Sequence, residues 1–283
     1  MTASSRDPAT KADRGPLLRR LWFFGRVGLV LLAIEACRVL VHRQHWEVLT
    51  PNPLFSALVA SEVFLLGFLL NGVLTDYKEG EKLPGELAAA LECLALEVQG
   101  IRLMQPEAEV QTTLVLLADF SEALLAWMQQ AGPTLLLLER LDTLQLAIER
   151  LGLWNPAPLQ ARLLQELAHI RRGVQRIDVI RSTTFVPSVY GVAYIGTGVL
   201  TVGLVLSRME PFAESLFFIG VISLLLIKLL LLITDLDNPF GAGQARSVEN
   251  VSLHPVAHAV QRLQRVAQAP QPVLEDGALK QGG

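Results

Sequence analysis

Five titratable side chains stand inside long apolar stretches of this chain: Arg26, Glu35, Arg38, Glu62 and Lys228. A charge held at mid-membrane costs about 2.5–3.5 kcal/mol on insertion scales. Residues of this type in such surroundings either pair between helices or line a water-filled path. Glu35 and Arg38 are spaced i, i+3 and can pair on one helix face. Lys228 and Asp235, spaced i, i+7, share a face. Ala60, Phe64 and Phe68 recur at i, i+4, i+8; each step drifts only about 40°, so they form one stripe about 12 Å long. Around a symmetry axis, copies of that stripe would make an apolar constriction able to gate by dewetting. The positive ring edges of Phe can face a passing anion. On its own, such a stripe serves equally as packing or lipid-facing surface.

Other chemistries find less support. His254 and His258 have the i, i+4 spacing of a helical metal site. No acid or cysteine lies near them, and Pro255 stands between them, so they read as surface histidines on a tail and no metal site is expected. His42 and His45 fall at the end of an apolar run and read as polar anchors. There is no G-x-S-x-G, no Gly-rich phosphate loop and no CxxC, which argues against an enzyme and against a cofactor. Cys37 and Cys93 cannot make a disulfide framework.

The elements that must position these residues follow from composition. The chain has 283 residues, 51% of them apolar and only 18% charged, and a net charge of −3. That balance excludes disorder and gives no basic field for nucleic acid. Mean hydropathy is +0.41, and the apolar excess is concentrated in residues 21–41, 54–74, 185–206 and 213–235, each near the ~20 residues that cross a bilayer. The first run is too long for a signal-peptide core and lacks an A-x-A site, so it reads as an uncleaved span. Five Lys/Arg precede it, whereas the links between spans one and two and between spans three and four hold only Arg43 and Arg208. The positive-inside rule then puts both termini and the middle region in the cytoplasm.

The expected organisation is an N-terminal tail (1–20), spans one and two (21–74), a helical cytoplasmic domain (75–184), spans three and four (185–235) and a cytoplasmic C-terminal segment (236–283), disordered after about 269. In the middle domain Pro84, Pro106, Gly132-Pro133, Pro156 and Pro158 punctuate helices expected over 85–104, 107–131, 134–151 and 159–180. Leu87, Leu91, Leu94 and Val98 give the first an apolar face; Leu135, Leu138, Leu141, Leu144 and Ile148 give the third one. The fold class is all-α, polytopic, with four transmembrane helices.

Several motifs fit a known pattern. Leu66-Gly67-Phe68-Leu69-Leu70-Asn71, leading to Tyr77-Lys78-Glu79-Gly80-Glu81-Lys82, resembles the end of the second bestrophin span. Pro187-Ser188-Val189-Tyr190 resembles the P-x-x-Y that opens the third, and Asn238-Pro239-Phe240-Gly241 resembles the N-P-F-G after the fourth. The resemblance covers roughly residues 20–265 and extends to the bestrophin-like domain proteins of bacteria. It implies a homopentameric channel for chloride or other small anions in a bacterial inner membrane, its partners being copies of itself, the lipid bilayer and small inorganic ions. Phe64 and Phe68 would form the neck, Ala60 would leave it wider than usual, and Leu159 and Leu163 would form a cytoplasmic constriction. Two departures matter. Ala242-Gly243-Gln244-Ala245-Arg246-Ser247 replaces the acidic run that supplies calcium ligands, so no calcium clasp is expected. Asp76 stands where the family has a base, so the sequence does not choose between anions and cations. The alternative is a non-conducting membrane scaffold whose helical domain binds a protein partner.

Overall fold

The computed structural model describes residues 15–130, 132–183, 187–237, 239–240 and 251–268. Among them are eight helices and no strand: α1 (Gly15–Arg43), α2 (Pro53–Met104), α3 (Val110–Gln130), α4 (Thr134–Leu151), α5 (Ala157–Ser182), α6 (Pro187–Val205), α7 (Phe212–Leu236) and α8 (His254–Gln268). The chain divides into two compact units, one of residues 1–79 and 180–250, the other of residues 80–179 and 251–283.

The first unit packs α1, the start of α2, α6 and α7. Its core is an apolar seam: Leu66, Leu69 and Val73 of α2 meet Ala193 and Leu200 of α6 and Leu226, Leu230, Ile233 and Leu236 of α7. These positions recur every three or four residues, as one helix face requires. The outward faces are also apolar, with Leu29, Leu32, Val192, Ile195, Val199, Phe217 and Leu225 exposed. Apolar side chains on both faces are the pattern of helices whose solvent is lipid. Asn52 caps α2 through a 2.9 Å bond from the Phe55 amide to its side-chain oxygen, with Pro53 in the first helical position that tolerates it.

Among the described residues, the helices long and apolar enough to cross a membrane are α2, α3, α6 and α7. This differs from the expected set, which has α1 rather than α3. Packing separates the two helices. α1 lies against α6 and α7, whereas α3 lies against α4 and α8, and half of its most apolar window is buried in the protein.

The second unit contains the rest of α2 with α3, α4, α5 and α8. Leu87, Leu91, Leu94 and Val98 are fully buried, as their spacing implies. α4 buries Leu137, Leu141, Leu144, Ile148 and Leu151. Leu135 is 67% exposed and Leu138 only half-buried, so at that end the seam is offset by one residue, to Leu137, from the expected one. Pro84 does not open a helix: α2 runs straight through it for 52 residues. Proline deletes one amide and crowds the carbonyl four residues back; here that carbonyl belongs to Gly80. α3 starts at Val110 and α5 at Ala157, each a few residues from its expected start.

α8 has no counterpart in the expected tail. It forms because Val256, Ala259, Val260 and Leu263 make one buried face against α3, while Pro255 sits in the first turn, where its missing amide costs nothing. Arg262 ties the helix to Glu92 at 2.6 Å, and Gln111 Nε2 donates to the Ala267 carbonyl at 2.6 Å.

Candidate functional site

Ala60, Phe64 and Phe68 all lie on the exposed face of α2, Phe64 78% and Phe68 62% exposed. Gly67 and Asn71 share that exposed side, and a side chain at Gly67 would meet nothing within 4 Å. The opposite side of the helix carries the buried Leu66, Leu69 and Val73. One face of α2 is therefore held against α6 and α7, and no described element of its own unit covers the face bearing the phenylalanines.

Glu35 and Arg38 resolve differently from the pair that their spacing allows. Arg38 does not pair with Glu35. It is fully buried, and its Nη1 reaches Glu47 Oε1 at 2.8 Å. Nη1 also donates to the Val205 carbonyl at 3.2 Å, while Nη2 and Nε donate to Ser215 Oγ at 3.0 and 3.3 Å. The guanidinium lies 5.6 Å from the Phe212 ring centre. A strong local turn makes this possible. α1 ends with Trp46 N donating to the Val41 carbonyl at 3.0 Å and His45 N to that of His42 at 3.2 Å, His45 taking the left-handed conformation at φ 57°. This double-bonded C-terminal turn reverses the chain and carries Glu47 back over Arg38. His42 completes the cluster: Nδ1 lies 3.0 Å from Glu47 Oε1, and the ring stacks on Phe212 at 4.0 Å. Burial raises the Glu47 carboxyl, but the bond with His42 and the charges of Arg38 and His42 outweigh it and hold the pKa below its ordinary value of 4.5.

The loop that carries Glu47 is also joined by backbone to the α6–α7 link. Leu49 N donates to the Leu206 carbonyl at 3.2 Å and Arg208 N to that of Leu49 at 2.6 Å, a parallel bridge of Leu49 with Ser207. Glu47, Phe212 and Ser215 carry no signal of their own in the sequence, because each lies at the edge of an apolar run, where single polar or aromatic residues are ordinary.

Glu35 turns away from Arg38. Both of its carboxylate oxygens are buried with no hydrogen-bond partner among the described residues, and Oε1 would lie 2.6 Å from a Cβ at Gly220. Glu62 is 7% exposed; its Oε1 accepts from Thr197 Oγ1 at 2.9 Å. Lys228 is half-buried on α7, and the side chain of Arg26 lies outside the described residues. Leu159 is half-buried, but Leu163 is 1% exposed. Both line a cavity of about 180 Å³ with Ile101, Met104, Asn155 and Arg162. Leu163 thus packs inward, and of the two only Leu159 has surface to offer a constriction.

Of the motif residues, Pro187 opens α6, where proline is favoured, and Tyr190 is half-buried against the seam of the first unit. Pro239 and Phe240 are buried. Asn238, Gly241 and residues 242–247 lie outside the described residues, as does the segment after 268. His254 and His258 lie one turn apart with ring centres 5.1 Å apart. Among the described residues, no three His, Cys, Asp or Glu side chains cluster.

The sequence matches no protein-family model and no curated relative. Solved structures do match. The chain superposes on a bacterial bestrophin homolog from Klebsiella pneumoniae, solved by Zn-SAD phasing, with a TM-score of 0.70 and 16% identity, covering 88% of this chain and 100% of that one. A mutant form of the Klebsiella pneumoniae homolog gives 0.70 and 15%, covering 86% and 100%, and a second mutant form gives 0.69 and 16%, covering 87% and 100%. With apolar helices bearing an exposed phenylalanine stripe and a separate helical unit, this chain is an all-α polytopic membrane protein with the fold of the bacterial bestrophin homologs.

Proposed function

We propose that the protein is a bestrophin-like ion channel that assembles as a homopentamer and passes chloride or other small anions down their gradient. It acts by transport, not by catalysis. The observation that carries this reading is the uncovered stripe of Ala60, Phe64 and Phe68 on a helix whose other side is buried. Five such helices around an axis would enclose an apolar neck that empties of water when narrow and conducts when wetted, with ring edges turned to the passing anion. The protein would sit in the inner membrane of a bacterium with both termini and the helical unit in the cytoplasm, consistent with the basic N-terminal tail. Leu159 is the candidate for a second, cytoplasmic constriction.

The test is planar-bilayer recording of the purified chain beside Phe64→Ala and Phe68→Ala. A widened neck should raise conductance or abolish gating. Unaltered currents in both variants, or a detergent-solubilised protein that is monomeric or dimeric, would overturn the assignment.

A further inference from the structure

Glu62 precedes Phe64 by two residues, so at 100° per residue its side chain leaves α2 about 160° from that of Phe64. It points backward from the stripe, into α6. There Thr197 Oγ1 donates to Oε1 at 2.9 Å, and Oε2 fills the notch over Gly196, where any side chain would collide with the carboxylate. Among the described residues Glu62 has no ion-pair partner, although it is 7% exposed. A buried carboxylate held by one neutral donor adds little stability, and groups of this kind are best attested as devices that set register. The neighbouring contacts need such a device. Leu66, Leu69 and Val73 meet Ala193 and Leu200 through apolar ridges, which could interdigitate in more than one rotation of α2. A carboxylate fits only where a missing side chain and a hydroxyl donor coincide, and Gly196-Thr197 supplies both.

We propose that Glu62, keyed into Gly196 and Thr197, is the positioning residue that sets the rotation of α2 and so aims Phe64 and Phe68. This rests on the neck reading above. At a helix radius of about 5–6 Å, a turn of α2 by about 20° moves a side chain by about 2 Å, comparable to the change that wets or empties an apolar constriction. The key acts from behind and touches no permeating ion.

The full chain is reconstituted in planar bilayers, and the permeability of a large anion relative to chloride is recorded for wild type, Phe64→Ala, Thr197→Val, Thr197→Ser and Gly196→Ala. That ratio is independent of how much protein inserts, so a loss of stability alone does not move it. Thr197→Val keeps the shape and removes the donor. It and Gly196→Ala should shift the ratio several-fold in the same sense as Phe64→Ala, because a loosened α2 swings the rings off the axis, and Thr197→Ser should restore the wild-type ratio. A shift in Phe64→Ala with none in Thr197→Val or Gly196→Ala overturns the keying and leaves the neck standing. No shift in Phe64→Ala overturns the neck, and the keying with it.

Discussion

Replacing Glu47 by Gln should lower the thermal midpoint of this protein far more than a loop substitution normally does. Arg38 is fully buried, and Glu47, 13% exposed, is the carboxylate 2.8 Å from it. Without that charge the guanidinium keeps, among the described residues, only the neutral acceptors Val205 carbonyl and Ser215 Oγ. Removing one partner of a buried ion pair costs about 3–5 kcal/mol, and Gln retains an acceptor, which favours the lower end. At about 2–4 °C per kcal/mol for folded units of about 150–250 residues, a loss of about 3 kcal/mol is a shift of about 6–12 °C. Tryptophan fluorescence of the detergent-solubilised chain during heating reads it. A second arm isolates the cause: Arg38→Met combined with Glu47→Leu should recover most of the loss, since an apolar pair of similar volume often replaces a buried ion pair at no cost. A Glu47→Gln protein that melts with wild type, or a double variant no better than Glu47→Gln, would refute the reasoning.

The pH dependence of the same pair has a definite sign. Its folded-state carboxyl is held below 4.5, so its contribution is fully present above that value and is lost as pH falls through the lower native one. The midpoint gap between wild type and Glu47→Gln should hold steady from neutral pH toward 4.5 and close below it; closure while the pH is still well above that value would contradict this. In the second unit, Gly173→Ala would put a methyl group 2.8 Å from Leu87 Cδ2, a side chain with no exposed surface. Overpacking costs about 1–3 kcal/mol, against a helix-propensity gain of about 1 kcal/mol, so the variant should melt below wild type, and a higher midpoint would count against that tight contact.

The elements that were legible in the sequence are those whose side chains report their surroundings directly. The seam residues Leu87, Leu91, Leu94 and Val98 repeat at helical spacing and are all buried. The stripe of Ala60, Phe64 and Phe68 follows from arithmetic on one helix. What was not legible depends on partners distant in the chain. Glu35 and Arg38 satisfy the spacing of a local pair, yet a turn at His45 and the arrival of Ser215 give Arg38 better partners. Pro84 has the local signature of a helix start, but the buried residues on either side, Leu83 and Leu87, hold the chain helical through it. α8 is apolar on one face only, and that face has meaning only once α3 is there to cover it.

The clasp around Arg38 joins contacts of very different sequence separation. Val205 and Ser215 follow Arg38 by 167 and 177 residues, so their contacts with it close loops that span most of the chain. Glu47 follows much sooner, on the turn that closes α1. The counter-charge of Arg38 is thus local in sequence, whereas the groups that complete its shell come from the far end of the chain.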